Sequence, residues 1–593
     1  MNGIARLVFP ALLLACVACE GRPRPEGTTE APKRFGPAVA VLDFSGGVPE
    51  QEKAGFLGAQ GPRRSFDEAL RVVTELAKDD ETRGVMVKLG SAGIGAARAE
   101  ELGEALAKVR AKKKVYCHAE GLSNATMLLA TQGCSSIWLA PAGEVTAIGI
   151  AAQLVYMRKL LSDELHLGID IQQVGKYKGA EEPLTRDGPS PEAKASLLGV
   201  LTDFRAAWTE SLVAARPKVM PEAFEDGPWS APRAKDLGIV DEVGYLDDAL
   251  SALRDASGGV RDRVLFGAGA EEGGDLDEVV RTLAGEGGGN GPIALVRATG
   301  SIAMTSSGNG LLGGSAGIIE KELSKTIARL EKDDDVKAVV IRIDSPGGSA
   351  LASDLMWHRL MKLRKKKPLV FSVGDMAASG GYYLASSADF IFAEPMSLVG
   401  SIGVVGGKIG FGDALERIGV HAEVLAANPK PGADVRAAYE SPLIRWDDPT
   451  RARVLESMTG IYELFLARVS EGRSTRGRAV SRDQVDANAE GKVFSGREGK
   501  RLGLVDEIGG LAAALAKARE LAKLGENARV AVVAGKGGFL ESLDPTAATD
   551  AALAPAGVLR RVAPDLVPFV SGLAPLAEGE RTVVSLPYAL TVR

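Results

Sequence analysis

Asp375-Met376-Ala377-Ala378-Ser379-Gly380-Gly381-Tyr382-Tyr383 is the stretch whose residue types and order are suited to chemistry. A β-rich run, Pro368 to Val373, enters it, and a helix-like run, Tyr382 to Ser387, leaves it. Ser379 therefore falls where a strand turns into a helix. A hydroxyl at such a turn is exposed, and the helix start offers free N–H groups and a positive dipole end to a developing anion. The two glycines that follow let another backbone approach closely. A lone Ala-Ser-Gly-Gly would be no more than a helix cap. Upstream, however, the strand-like run Val336 to Ile343 ends in Asp344-Ser345-Pro346-Gly347-Gly348-Ser349. A second glycine-rich loop at a strand end supplies the other backbone donor that an oxyanion hole needs. Two such loops make a site and not merely a cap.

The elements that hold these loops repeat with a period of about 254 residues. Arg83 to Ser91 parallels Lys337 to Ser345, Lys112 to Cys117 parallels Lys365 to Val370, and Ala147 to Ile150 parallels Ser401 to Val404. Each copy closes on Leu-Gly-(Ile/Leu)-Val-Asp-Glu-(Val/Ile)-Gly, at 237–244 and 502–509. A period this long means a duplicated domain, since solenoid repeats run 20–50 residues. Short apolar strands alternate with runs such as Ala99–Val109 and Leu351–Leu363, whose apolar spacing is near 3.6, which is an α/β layout. The expected division is an N-terminal module over 37–284, a Gly-rich linker at 285–291, a C-terminal module over 292–545, and a tail, 546–593, to which no chemistry is assigned.

The two glycine loops, followed by Gly400-Ser401-Ile402-Gly403-Val404, resemble the signal peptide peptidase A (protease IV) family over roughly residues 38–545. Those proteins are serine/lysine peptidases, and the resemblance implies a tandem duplication of a Clp protease/crotonase-like domain; periodicity alone would also permit a doubly wound sheet. It assigns Ser379 as nucleophile and Gly347, Gly348 and Gly380 as oxyanion donors. In Val174-Gly175-Lys176-Tyr177-Lys178-Gly179-Ala180-Glu181-Glu182-Pro183, Lys178 stands where the family carries its base, and Ser401 stands where a further serine orients that lysine. The matching part of the second copy, Leu425 to Gly432, lacks the lysine pattern, while the first copy has Asn124 opposite Ser379. Ser123, one position away, is the alternative at that site. One copy thus brings the base and the other the nucleophile, a composite site. Lys176 and Lys430 are rival bases. A Ser-His-Asp triad is not expected, because related Clp-type proteases carry their histidine some two dozen residues after the serine, where this chain has Ser401-Ile402-Gly403-Val404. The resemblance further implies cleaved signal peptides and other extended apolar peptides as substrates. A homo-oligomer is expected, with no cofactor and no metal.

With 45% apolar residues, 25% charged residues and a net charge of −6, the chain has an ordinary globular composition and no basic stripe for nucleic acid. The Lys112–Lys114 and Lys365–Lys367 runs read as solvated helix ends. Gly403 to Gly410 lacks the first glycine and the Ser/Thr of a phosphate-binding loop. Residues 1–19 combine Arg6 with an apolar stretch, Leu7 to Ala18, that is too short to span a bilayer. Its ending, Leu13 to Cys19, resembles a bacterial lipoprotein signal, with Cys19 (or Cys16) as the lipidated residue and 20–36 as a polar linker. The location expected is the cell envelope, as a lipid-anchored protein facing the periplasm. Cys117 and Cys134 remain, either as a disulfide or as two buried thiols. Competing functions are crotonase-type acyl-CoA chemistry, which requires an acid/base carboxylate beside the loops, and a non-catalytic scaffold.

Overall fold

The computed structural model describes residues 37–51, 65–90, 93–267, 291–305, 317–474 and 480–533, with the backbone of 582–585. The signal segment, the linkers at 20–36 and 285–291, and most of the tail lie outside the described residues. Two sheets share one topology. In the first, β1 (Ala38–Asp43), β2 (Thr82–Leu89), β3 (Lys114–Leu122) and β4 (Ser136–Val145) run parallel and side by side. β8 (Arg261–Phe266) flanks β1, while β6 (Trp229–Ser230) and β7 (Glu242–Val243) both pair with β4. The second sheet repeats this order with β9 (Ile293–Thr299), β12 (Ala338–Ser345), β14 (Leu369–Ala378) and then β15 (Phe390–Ala393) and β16 (Leu398–Gly400). β20 (Val530–Val533) stands beside β9, β18 (Val493–Ser495) pairs antiparallel with β16, and β19 (Glu507–Ile508) pairs with β15. The duplicated α/β layout expected from the period of 254 is the one these strands form. Parallel strands covered on both faces carry continuous apolar runs, and Val339-Val340-Ile341 is wholly buried.

The repeated sequence motifs act as repeated contacts. In the closing motifs, Asp241 accepts from Ile137 N at 2.7 Å and Asp506 accepts from Ile391 N at 2.7 Å. Each carboxylate also pairs with an arginine of a long preceding helix, Arg216 or Arg473, at 2.6 Å. Lys112, Lys114, Lys365 and Lys366 are exposed, as expected of solvated helix ends. One lysine of each run differs: Lys113 donates to Leu76 O at 2.6 Å and Lys367 to Leu330 O at 2.5 Å, tying off the last carbonyls of helices Phe66–Leu76 and Glu320–Lys332. Cys117 and Cys134 form a disulfide between β3 and the end of helix Asn124–Gly133.

A third sheet joins the copies. Its order is β11 (Ile318–Ile319), β10 (Ile302–Ala303), β13 (Gly347–Ser349), β21 (Thr582–Ser585), β17 (Val404–Gly410) and β5 (Gly168–Val174). β5 belongs to the first copy by sequence, yet it pairs antiparallel with β17 over the full run from Val174↔Val404 to Gly168↔Gly410. One hydrophobic cluster likewise contains Leu102 and Leu106 of the first copy with Leu295, Val340 and Leu511 of the second.

Ionic contacts pin the same seam. Arg342, on β12, donates to Glu50 at 2.8 Å and to Glu101 at 2.5 Å, all three side chains being at most 5% exposed. Glu101 also accepts from Leu511 N at 2.7 Å. Asp375 accepts from Arg98 at 2.7 Å and from Ala97 N at 3.2 Å, capping helix Ala96–Arg110 of the first copy. The acidic residue that opens the serine motif is therefore a docking group.

Candidate active site

β14 runs straight to Ala378, and the helix Gly380–Ala385 begins two residues later. Ser379 makes the corner with φ 54° and ψ −114°, a conformation rare for a side chain with a Cβ. Such a residue costs about 1–3 kcal/mol and persists only when its surroundings impose it. Here Ser379 N donates to Gly400 O at 2.7 Å, and Gly381 lies so close to Ser345 that a Cβ would sit 2.7 Å from its carbonyl oxygen. The strain sets the hydroxyl at the head of the helix, beside Gly380; Ser379 is fully buried and not exposed as the corner by itself suggests, because Lys178 covers it.

Lys178 reaches this corner from the other copy. Four residues after β5 ends, its loop turns through Gly175 (φ 105°) and Gly179 (φ 55°). Tyr177 N donates to Glu490 O at 2.8 Å, which fastens the loop to the second copy. The side chain is fully buried, with Nζ 2.7 Å from Ser379 Oγ, 2.9 Å from Ser401 O and 3.0 Å from Ser401 Oγ. Burial pushes the amine well below its ordinary value; the Glu181 carboxyl, itself raised to about 7 chiefly by burial, works the other way. A neutral amine suits these three neighbours. Its two hydrogens donate to the Ser401 oxygens, and its lone pair is left to accept from the Ser379 hydroxyl. Ser401 is itself held at φ 55°, its N–H donating to Lys492 O at 2.6 Å.

The glycine loop packs against the start of the same helix, where Gly381 abuts Ser345. Gly347 (φ 105°) and Gly348 (φ 153°) need their lack of a Cβ: one added at Gly348 would lie 2.1 Å from Ile302 O. Gly347 N donates to Ser345 Oγ at 3.2 Å, and that hydroxyl donates to Gly300 O at 2.7 Å. The structure thus gathers Ser379, Lys178, Ser401, Gly347, Gly348 and Gly380 around one corner.

The rival residues lie elsewhere. Lys176 is exposed and paired with Glu490 at 3.2 Å, and Lys430, His358 and His421 are exposed. His118 is spent on Gly244 O at 3.2 Å. Leu122 pairs with Val145 as Ala377 pairs with Val399, which sets Asn124 opposite Ser379 in strand register, whereas the helix start sets Ser123 opposite it, both serines being the N-cap residue. Asn124 donates to Gly149 O at 2.7 Å, while Ser123 is a relaxed helix cap bonded to Thr126. Both are structural in the first copy.

Gly491 carries no motif in the sequence, and Gly403 enters there only as part of the Gly400–Val404 motif and of the rejected phosphate-loop stretch. A Cβ on Gly491 (φ 85°) would lie 2.4 Å from both Lys178 N and Cα, and one on Gly403 would lie 3.1 Å from Lys178 Cδ. The signal was available in the duplication, where Glu490-Gly491-Lys492-Val493-Phe494-Ser495 echoes Asp226-Gly227-Pro228-Trp229-Ser230. Gly491→Ala is expected to displace the lysine backbone, which cannot swing aside as a side chain would. A shift near 1 Å costs roughly 100-fold, so kcat should fall by about that factor while the circular dichroism spectrum stays unchanged. A Gly491→Ala enzyme with wild-type kcat would show that the lysine loop is not held there.

A serine set at a forced strand-to-helix corner between glycine loops is the arrangement of a serine hydrolase. A family model described as peptidase family S49 matches residues 107–259 and 361–525, one region in each copy. Protease 4 of Salmonella typhi is 30% identical over 82% of this chain and 78% of that protein. Protease 4 of Haemophilus influenzae is 30% identical over 78% of this chain and 74% of that protein. A chloroplastic serine protease of Arabidopsis thaliana, named SPPA, is 28% identical over 84% of this chain and 71% of that protein. The chain belongs to peptidase family S49, as a signal peptide peptidase A (protease IV) type protein in its long, duplicated form. It is a serine peptidase, which decides against the acyl-CoA and scaffold alternatives.

Proposed function

We propose that the peptidase works through a Ser379–Lys178 dyad and that its substrates are extended apolar peptides, cleaved signal peptides foremost. The observation that carries this reading is the 2.7 Å approach of a fully buried Lys178 Nζ to Ser379 Oγ. Neutral Lys178 accepts the hydroxyl proton as Ser379 attacks the scissile carbonyl. The N–H groups of Gly380 and Gly348 receive the oxyanion, that of Gly347 being given to Ser345 Oγ, a contribution of about 10²–10³ per donor in comparable sites. Lys178 passes its proton to the leaving amine, and water then enters by the reverse of these steps to free the acyl group and restore the serine. Ser401 holds the amine in place throughout. No step requires a metal or cofactor.

Relatives named Protease 4 and the lipoprotein-like residues 13–19 support a place in the cell envelope. The finer reading keeps a lipid on Cys19 (or Cys16), a body facing the periplasm and self-association of the chain. Among the described residues no helix is long and apolar enough to cross a membrane.

The test is hydrolysis of synthetic signal peptides by the mature protein, alongside labelling with a fluorophosphonate. Cleavage within the apolar core and a label on Ser379 are expected, both lost in Ser379→Ala. Cleavage of polar, charged peptides in preference to apolar ones would overturn the substrate class, and a label on another serine would overturn the nucleophile.

A further inference from the structure

The strand that delivers Ser379 is not regular. β12 and β14 pair at Ile343↔Val373 and again at Ser345↔Ala377, so Gly374-Asp375-Met376 bow out of the sheet against the single residue Asp344. The first copy is shorter here. Its pair Leu89↔Ala119 answers Ile343↔Val373 and its pair Leu122↔Val145 answers Ala377↔Val399, which leaves Glu120-Gly121 where β14 has Gly374-Asp375-Met376. Bulges beside active sites re-aim the side chains that follow them. Each residue of this one is held. Ser397 Oγ donates to Gly374 O at 2.7 Å, and Met376 N donates to Asp344 Oδ1 at 3.2 Å. Asp375 is held from the first copy, its carboxylate accepting from Arg98 Nη2 at 2.7 Å, Arg98 Nε at 3.0 Å and Ala97 N at 3.2 Å. Arg98 is fixed in turn by donating to Val48 O at 2.7 Å.

The receiving surface is the first copy's counterpart of the glycine loop. Gly93-Ile94-Gly95 stands where the second copy has Gly347-Gly348-Ser349, and helix Ala96–Arg110 where it has Ala350–Arg364. In the second copy Ser349 caps its own helix, Oγ accepting from Ala352 N at 3.3 Å. In the first copy that position is Gly95, which has no side chain to cap with, and a Cβ there would lie 1.8 Å from Asp375 Oδ2. The carboxylate of the second copy fills the capping place, where an anion also gains from the helix dipole.

We propose that this loop of the first copy is a receptor for the β14 bulge and that Arg98 is a positioning residue, setting Ser379 by gripping Asp375. The proposal rests on Ser379 being the nucleophile. Ser379 keeps its φ of 54° only while its surroundings impose it, and the bulge is the least constrained part of the strand leading into it. With the grip removed, Gly374 to Met376 can settle toward the shorter path of the first copy, and a slip along the strand carries the corner with it. Met376 is tied to Asp344, the neighbour of Ser345, so the same grip also fixes the nucleophile against the glycine loop. Lys178 arrives separately, on the loop after β5. The first copy thus contributes twice, the base through β5 and the alignment of the nucleophile through Arg98.

The experiment compares the unaltered chain with Arg98→Ala, Arg98→Lys and Asp375→Asn. It reads kcat and KM on an apolar peptide, the pH profile, and the rate at which a fluorophosphonate labels Ser379. Arg98→Ala should lower kcat and the labelling rate together, by roughly 10- to 100-fold, the cost of a misplacement near 1 Å, with KM little changed. Asp375→Asn keeps the contact with Ala97 N without the charge, and Arg98→Lys makes one contact where the guanidinium makes two, so both should fall between. The acid limb of the pH profile should stay in place in all three, because Lys178 remains buried. A merely structural loosening of the two copies would expose the amine and move that limb toward the ordinary lysine range. If Arg98→Ala does not fold, the two milder variants decide on the same readouts. Wild-type kcat and labelling of Ser379 in both of them overturn the proposal and leave the nucleophile reading standing, and a loss of rate with a shifted acid limb does the same. A label on another serine in the unaltered chain overturns the nucleophile reading and the proposal with it.

Discussion

Lys178→Ala and Ser379→Ala are each expected to reduce kcat/KM by about 10⁴–10⁶-fold, with the double variant little worse than either, because the two members of the proposed dyad would fail together. Lys178→Arg is equally inactive. A guanidinium stays protonated at any usable pH, so it keeps the charge and cannot take a proton. Lys176→Ala costs little, its amine being exposed and paired with Glu490. The pH profile carries the same logic. Burial lowers the Lys178 pKa, only the neutral amine acts as a base, and activity therefore rises with pH through that lowered value, well below the ordinary pKa near 10.4. Ser401→Ala removes one of the two acceptors that hold the amine, and its acid limb should move while Ser379 still labels. Near-normal turnover by Lys178→Arg would show that the residue supplies charge and not proton transfer.

Arg342→Ala is expected to destabilise the protein by about 3–5 kcal/mol, because it leaves Glu101 buried without its arginine and Glu50 with only Arg98, at 3.9 Å. Against a total of about 5–15 kcal/mol for a typical domain this is a large loss. The loss depends on pH. The Glu101 carboxyl is already raised to about 7, chiefly by burial, and Arg342 is the main force holding it down. Without the arginine its folded pKa rises further above the unfolded value. A carboxyl raised in this way contributes stability that is complete below its unfolded pKa and is lost as pH rises through the folded one. The defect should therefore be several-fold larger at pH 8 than at pH 5, and Glu50→Gln with Glu101→Gln should recover part of it. Thermal unfolding at the two pH values measures this. A change below about 0.5 kcal/mol at pH 8 would place the variant among ordinary surface substitutions and remove Arg342 from the seam.

Both predictions concern contacts between residues far apart in the chain, and this is where sequence and structure divide. The strand entering Ser379, the helix leaving it and the Asp344–Ser349 loop were legible locally, because strand-rich and helix-like runs meet at glycines that a corner demands. The duplication was legible too, and it exposed Asn124 where a nucleophile would stand. Lys178 came from resemblance to a family motif; nothing in its neighbourhood separates it from Lys176. Tertiary structure makes that separation: β5 crosses to the other copy, and one lysine is thereby buried against Ser379 while its neighbour stays in water. Asp375 reads locally as part of the catalytic motif, yet it caps a helix of the first copy. Gly491 reads as a turn, yet it is the floor beneath the lysine backbone. The tail carries no motif at all, since a strand that binds through its backbone needs no particular side chains to do so. Periodicity and turn chemistry act within a few residues of one another and so determined the elements. Burial, pKa and the alignment of the two copies depend on what packs from a distance, and only the folded chain decided them.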